Sequence, residues 1–106
     1  MSHEYVVAMT CAPSLDKASE LARALVEERL AACVNVLPVA RSIYRWQGKL
    51  CEEPEHLCLI KTRADRVEAL RTRLVALHPY EVPELVVIDV QSGHNPYLAW
   101  IDESLS

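Results

Sequence analysis

A chain of 106 residues, 51% of them hydrophobic and 25% charged, has the apolar content for one folded core, and its length fits one domain, residues 1–106. Eleven Lys and Arg against fifteen Asp and Glu give a net charge of −4, which argues against nucleic acid as a partner, because phosphates need a basic stripe. No apolar stretch approaches the ~20 residues of a membrane span, and the start Met1-Ser2-His3-Glu4-Tyr5 lacks a basic leader region, so the cytoplasm is the expected location.

Residues 5–10 form a short Val-rich run that predicts a first strand, broken by Pro13. Ser14 is placed to cap a helix over 15–31, with Asp16 near its positive end. Ala18, Leu21, Ala22, Leu25 and Val26 recur on one side of it. A second strand begins near Cys33, is interrupted at Pro38 by a bulge, bend or edge, and resumes through Ser42-Ile43-Tyr44-Arg45-Trp46. Gln47-Gly48-Lys49 supplies a turn with positive φ at Gly48, and a third strand follows over 50–62. Leu57, Leu59 and Lys61 then point one way, Cys58, Ile60 and Thr62 the other.

The arms of this hairpin are each about a dozen residues, twice the mean strand length. A hairpin so long must project beyond its own sheet, and its bare edges call for another chain to pair with them. Asp65 and Glu68 have the spacing of a capping box, and Val67, Leu70, Leu74 and Leu77 give a second helix its apolar stripe. His78-Pro79 ends that helix. Residues 85–90 read as a fourth strand buried on both faces. Asn95 caps a last helix with Pro96 at its first position; Leu98, Ile101 and Leu105 make its stripe, with Tyr97 and Trp100 alongside. Strand, helix, strand, strand, helix, strand and a terminal helix predict an α+β fold of the ferredoxin-like βαββαβ type: one antiparallel sheet with helices on one face, a long hairpin and an extra C-terminal helix.

Four cysteines, at 11, 33, 51 and 58, form no Cys-x-x-Cys pair and read as free thiols of a reducing compartment. Cys51 and Cys58 face opposite sides of a regular strand, so they do not chelate one ion together. Cys33 and His78 are donor types that copper and zinc prefer; equally, Cys33 suits a core position and His78 a helix end. Trp46, Lys61, Tyr80 and Glu84 combine aromatic walls with one cation and one carboxylate, a set suited to a small anionic or zwitterionic ligand. The same set also reads as a Lys61–Glu84 ion pair between subunits, packed under Trp46. No nucleophile–base signature, phosphate-cradling loop or dinucleotide fingerprint is present, and with only Gly48 and Gly93 an enzyme is not expected.

The stretches Leu30-Ala31-Ala32-Cys33-Val34-Asn35-Val36-Leu37-Pro38 and Ser42-Ile43-Tyr44-Arg45-Trp46-Gln47-Gly48-Lys49 resemble the CutA family. So do Ile60-Lys61-Thr62, His78-Pro79-Tyr80, Pro83-Glu84 and Tyr97-Leu98-x-Trp100, and together they span nearly the whole chain. The resemblance implies a ferredoxin-like protomer assembled through its hairpins into a homotrimer similar to the PII signalling proteins, with clefts between subunits. It also implies divalent metal binding and tolerance, above all of copper, with Cys11, Cys33 and His78 as the implied ligands. Two departures from the family's pattern stand out. Cys11 follows Thr10 where the better-known order is Cys before Thr, and Leu77-His78 stands where some relatives have two histidines.

Overall fold

A computed structural model describes residues 4–106. In chain order the elements are β1 (Tyr5–Ala12), α1 (Leu15–Glu27), β2 (Cys33–Trp46), β3 (Lys49–Arg63), a 3-10 turn (Ala64–Arg66), α2 (Val67–Leu77), β4 (Val86–Asp89) and α3 (Asn95–Leu105). The four strands lie in the order β2-β3-β1-β4 with every neighbouring pair antiparallel, as the ferredoxin-like reading requires.

β1 shows how the sheet divides. Val6, Ala8, Thr10 and Ala12 are buried, while Tyr5, Val7, Met9 and Cys11 between them are half-buried, the period-two pattern of a strand with one covered face. On the covered face Ala8 and Ile60 pack with Leu21 and Leu25 of α1 and Leu70 and Leu74 of α2. β4 departs from expectation. Val87 packs against this core, but Val86 and Ile88 are about half exposed, because their register partners Met9 and Val7 set them on the sheet's other face. β4 is therefore buried on one side only.

α3 lies on that other face rather than with α1 and α2. Ile101 and Leu105 bury beside Ala32, and the Asp102 carboxylate accepts hydrogen bonds from Tyr5 Oη at 2.7 Å and Arg63 Nη1 at 3.1 Å. Tyr5 and Arg63 are direct register partners, so one rung of the sheet presents both donors together.

Three helix ends differ from the sequence reading. α1 stops at Glu27, not at residue 31, because Arg29 takes a left-handed φ of 59°. Leu30 N–H then donates to Leu25 O and Arg29 N–H to Val26 O, the paired bonds of a Schellman closure. The capping box at Asp65 and Glu68 does not form; the 3-10 turn has no side-chain cap, because Arg63 holds Asp65 and Arg71 holds Glu68. At α3, His94 occupies the cap position and Asn95 is already helical, with no side-chain cap bond.

The hairpin forms as its sequence predicts. Its register slips between Val36 and Val39, where Pro38 cannot donate to the ladder. Gln47 and Gly48 both have positive φ, 50° and 78°, the signature of a two-residue turn whose twist matches its strands. β1 pairs with β3 only as far as His56, so residues 39–46 and 49–55 run on as a two-stranded arm, and the molecule reaches 44 Å along its long axis. Val39, Ile43 and Leu50 on this arm are 60% or more exposed. No helix among the described residues is long and apolar enough to cross a membrane.

Candidate functional site

The long hairpin fixes one wall of a cleft. Its Gln47-Gly48 turn makes Trp46 the partner of Lys49, and the register then places Tyr44 opposite Cys51 and Ser42 opposite Glu53. Tyr44, Trp46, Glu53 and Glu55 thus fall on one face of the arm by period-two alternation. That face is continuous with the face carrying Cys11, whose partner on β3 is Leu57. The segment after α2 comes over from the other side and contributes Tyr80, Glu81, Val82 and Glu84. The open cleft between these walls has a volume of about 690 Å³.

His78 anchors that second wall. It is buried at the end of α2, where its extended backbone stops the helix. Its Nε2 lies 2.7 Å from Cys11 O and its Nδ1 lies 3.1 Å from Tyr80 N. A carbonyl only accepts and an amide N–H only donates, so the ring is the Nε2–H tautomer with both nitrogens engaged. The ring also packs against Tyr80, 4.8 Å between centroids. His78 thereby ties the overlying segment to the end of β1 and delivers Tyr80 into the cleft.

Glu55 is the innermost acid. It is 8% exposed, and its Oε2 accepts the Tyr80 hydroxyl bond at 2.6 Å. Burial, then the bond to Glu55, push the Tyr80 phenol well above its ordinary pKa. Tyr80 therefore remains the donor in this bond. Burial and the carboxylates of Glu84 and Glu55 push the Cys11 thiol up to about 12. Tyr44 moves upward too, from partial desolvation and the nearby Glu53.

The structure brings Cys11, Trp46, Tyr80 and Glu84 to one cleft. It does not bring Cys33, Lys61 or His78 to its lining. Lys61 pairs in register with Cys33 and Val7 in the middle of the sheet, and within one subunit it forms no ion pair with Glu84 among the described residues. Cys33 Sγ is instead 3.8 Å from Asn35 Oδ1. The sequence reading missed Tyr44, Glu53, Glu55 and Glu81. Three of these lie on the hairpin, where the turn and its register would have grouped them with Trp46. With Lys61 elsewhere, neither Lys nor Arg stands in the cleft wall, and four glutamates do. Within one subunit the cleft wall is therefore acidic. Carboxylates suit hard divalent ions and the thiol suits softer ones, although no three His, Cys, Asp or Glu side chains among the described residues are grouped closely enough to form a ready-made metal centre.

The fold and this cleft define a ferredoxin-like α+β protein with a projecting hairpin and an acid-lined crevice at the hairpin's base. Residues 6–104 match the family described as CutA1 divalent ion tolerance protein, and the chain belongs to that family. It is 50% identical over 101 residues to a divalent-cation tolerance protein CutA of Thermus thermophilus, covering 95% of this chain and 97% of that one. It is 47% identical to a CutA homolog of Xenopus laevis, covering 90% of this chain but 62% of the longer relative. The crystal structure of CutA from Xylella fastidiosa superposes with a TM-score of 0.94 at 46% identity, covering 97% of this chain and 99% of that one.

Proposed function

We propose that the protein contributes to divalent-ion tolerance by binding divalent cations as a homotrimer. One observation carries the reading: Glu53, Glu55, Glu81 and Glu84 share a cleft with the Cys11 thiol, and no lysine or arginine stands in its wall. Such a wall concentrates cations and repels anions. Relatives named for divalent-cation tolerance supply the biological setting. A thiol beside carboxylates favours copper among the divalent ions. The metal is cargo rather than a resident cofactor; one subunit offers it a partial ligand set, to be completed by water or by groups of an adjacent subunit.

The trimer is supported by the arm. Residues 39–46 and 49–55 carry unpaired backbone edges with Val39, Ile43 and Leu50 exposed, and strand pairing between arms of neighbouring copies would cover both. Four free thiols suit a reducing compartment such as the cytoplasm. The role is that of a binding protein rather than an enzyme.

Isothermal titration with copper(II) and zinc(II), on wild type and on Glu84→Gln and Cys11→Ser, tests the reading. Saturable binding that weakens about tenfold or more in the variants is expected, each change removing a charged or soft donor. Unchanged affinity in both variants would place the metal outside the cleft. Light scattering at micromolar protein should give three times the 12.0 kDa chain mass; a 12.0 kDa particle would rule out the trimer.

A further inference from the structure

Arg66 lies in the 3-10 turn that follows β3, and its guanidinium reaches two helix ends at once. Nη1 donates to Arg29 O at 2.8 Å, in the turn that closes α1. Nη2 donates to Leu105 O at 2.7 Å, in the last turn of α3. α1 packs on one face of the sheet and α3 on the other. We infer that Arg66 is a strut between these two ends: order in the last turn of α3 and order in the turn closing α1 rise and fall together, through one side chain at the end of the sheet.

The charge at the two ends is the first ground. The final carbonyls of a helix lack partners within it and carry the negative end of its dipole. Neither α1 nor α3 has a basic residue in its last turn. Arg66 supplies the missing cation to both from outside. A guanidinium offers separate donors in a rigid planar fork, so holding one carbonyl positions it for the other.

The backbone of Arg29 is the second ground. Its φ of 59° is left-handed, a conformation that disfavours any residue carrying a Cβ. The turn is held there by the Leu30 and Ala31 amides donating to Leu25 O, by Thr62 Oγ1 donating to Leu30 O and by Arg66 donating to Arg29 O. A turn held against its own preference responds to the loss of one of its bonds.

Position is the third ground. Tyr5 pairs with Arg63 at this end of the sheet, whereas the arm projects beyond His56 at the other. Both Arg66 bonds are internal to one chain, so pairing of arms between copies neither supplies nor removes them.

The test is amide hydrogen exchange on the full chain as it assembles, corrected for intrinsic rates. Arg66→Ala should speed exchange about threefold or more both at Leu30 and Ala31 and in the last turn of α3, in line with one lost hydrogen bond at each end. The coupling itself is read from Arg29, an exposed position whose carbonyl survives substitution. Arg29→Gly relieves the left-handed backbone and should slow exchange at Leu30 and Ala31 about threefold or more. It should also slow the last turn of α3 about twofold, but only while Arg66 is present. Arg29→Val, whose branched side chain resists a positive φ, should act in the opposite direction at both ends. Two results would overturn the inference. One is an α3 end that ignores both Arg29 variants while Leu30 and Ala31 respond. The other is an α3 response of the same size in the Arg66→Ala background, which would assign the coupling to the packing of Leu105 on Ala32 instead.

Discussion

The Tyr80 hydroxyl donates to Glu55 Oε2 at 2.6 Å, joining the segment after α2 to an arm of the hairpin 25 residues earlier in the chain. This bond holds the two walls of the cleft together. Tyr80→Phe removes the donor and leaves a buried carboxylate with no bond to that oxygen, so it is expected to destabilise the fold by about 1–3 kcal/mol. The folded-state pKa of Tyr80 is raised above its ordinary 10.0. The bond's contribution is therefore fully present below pH 10 and lost as pH rises through the raised value. Denaturant midpoints of wild type and Tyr80→Phe, at equal protein concentration, should differ at pH 7 and converge above pH 10. Equal midpoints at pH 7 would mean that the bond contributes nothing.

Cys11 should be a sluggish thiol. Burial and the charges of Glu84 and Glu55 push it up to about 12, and thiolate is the species that alkylates. Iodoacetamide at pH 8, with mass-spectrometric mapping, is expected to label Cys33 and Cys51 ahead of Cys11 and of the buried Cys58. Glu84→Gln removes one of the opposing charges and should speed Cys11 labelling severalfold. If Cys11 reacts fastest in the wild type, the electrostatic description of the cleft is wrong.

Much of this was legible in the sequence, for identifiable reasons. The hairpin was readable because Gly48 fixes a turn and Pro38 a break, both local effects. The α1 stop was not, because Arg29 is not a residue that announces a left-handed backbone; the closing bonds from Leu30 and Arg29 become visible only once the helix has formed. The Asp65–Glu68 capping box failed through competition from Arg63 and Arg71, whose guanidinium groups took the same carboxylates. The cleft was half legible. Within one subunit Trp46, Tyr80 and Glu84 line one cleft, whereas register places Lys61 far down β3 opposite Cys33. That separation depends on tertiary placement, which no local pattern encodes.

Two buried threonines should respond in opposite directions to the same substitution. Thr10 and Thr62 are both fully buried. Thr62 Oγ1 donates to Leu30 O at 2.7 Å, tying β3 to the chain just past α1, whereas Thr10 Oγ1 has no partner among the described residues. Thr62→Val strands a carbonyl and should cost about 1–3 kcal/mol, while Thr10→Val removes an unpaired hydroxyl and should stabilise by about 1 kcal/mol. Denaturant midpoints of the two variants provide the comparison. A destabilised Thr10→Val would show that the hydroxyl is satisfied after all, by a bound water for instance.

The docking of α3 should depend on pH at its middle and not at its end. Asp102 is held below its ordinary 3.8 by the Tyr5 hydroxyl first and the Arg63 guanidinium second, so this anchor is intact above pH 3.8 and lost as pH falls through the depressed value. Tyr5 shifts the other way, raised above 10.0 mainly by its bond to Asp102, so its share is lost as pH rises beyond 10. The second anchor, Arg66 Nη2 donating to Leu105 O at 2.7 Å, involves neither Asp102 nor Tyr5 and caps the helix's C-terminal end. Hydrogen exchange over residues 95–105, corrected for intrinsic rates, should lose protection around Asp102 between pH 4 and pH 2.5 while the last turn changes less. Asp102→Asn should lower protection at neutral pH and flatten the acid response. Protection that is uniform across α3 and unchanged down to pH 2.5 would show that apolar burial of Ile101 and Leu105, not the Tyr5–Asp102–Arg63 cluster, holds this helix in place.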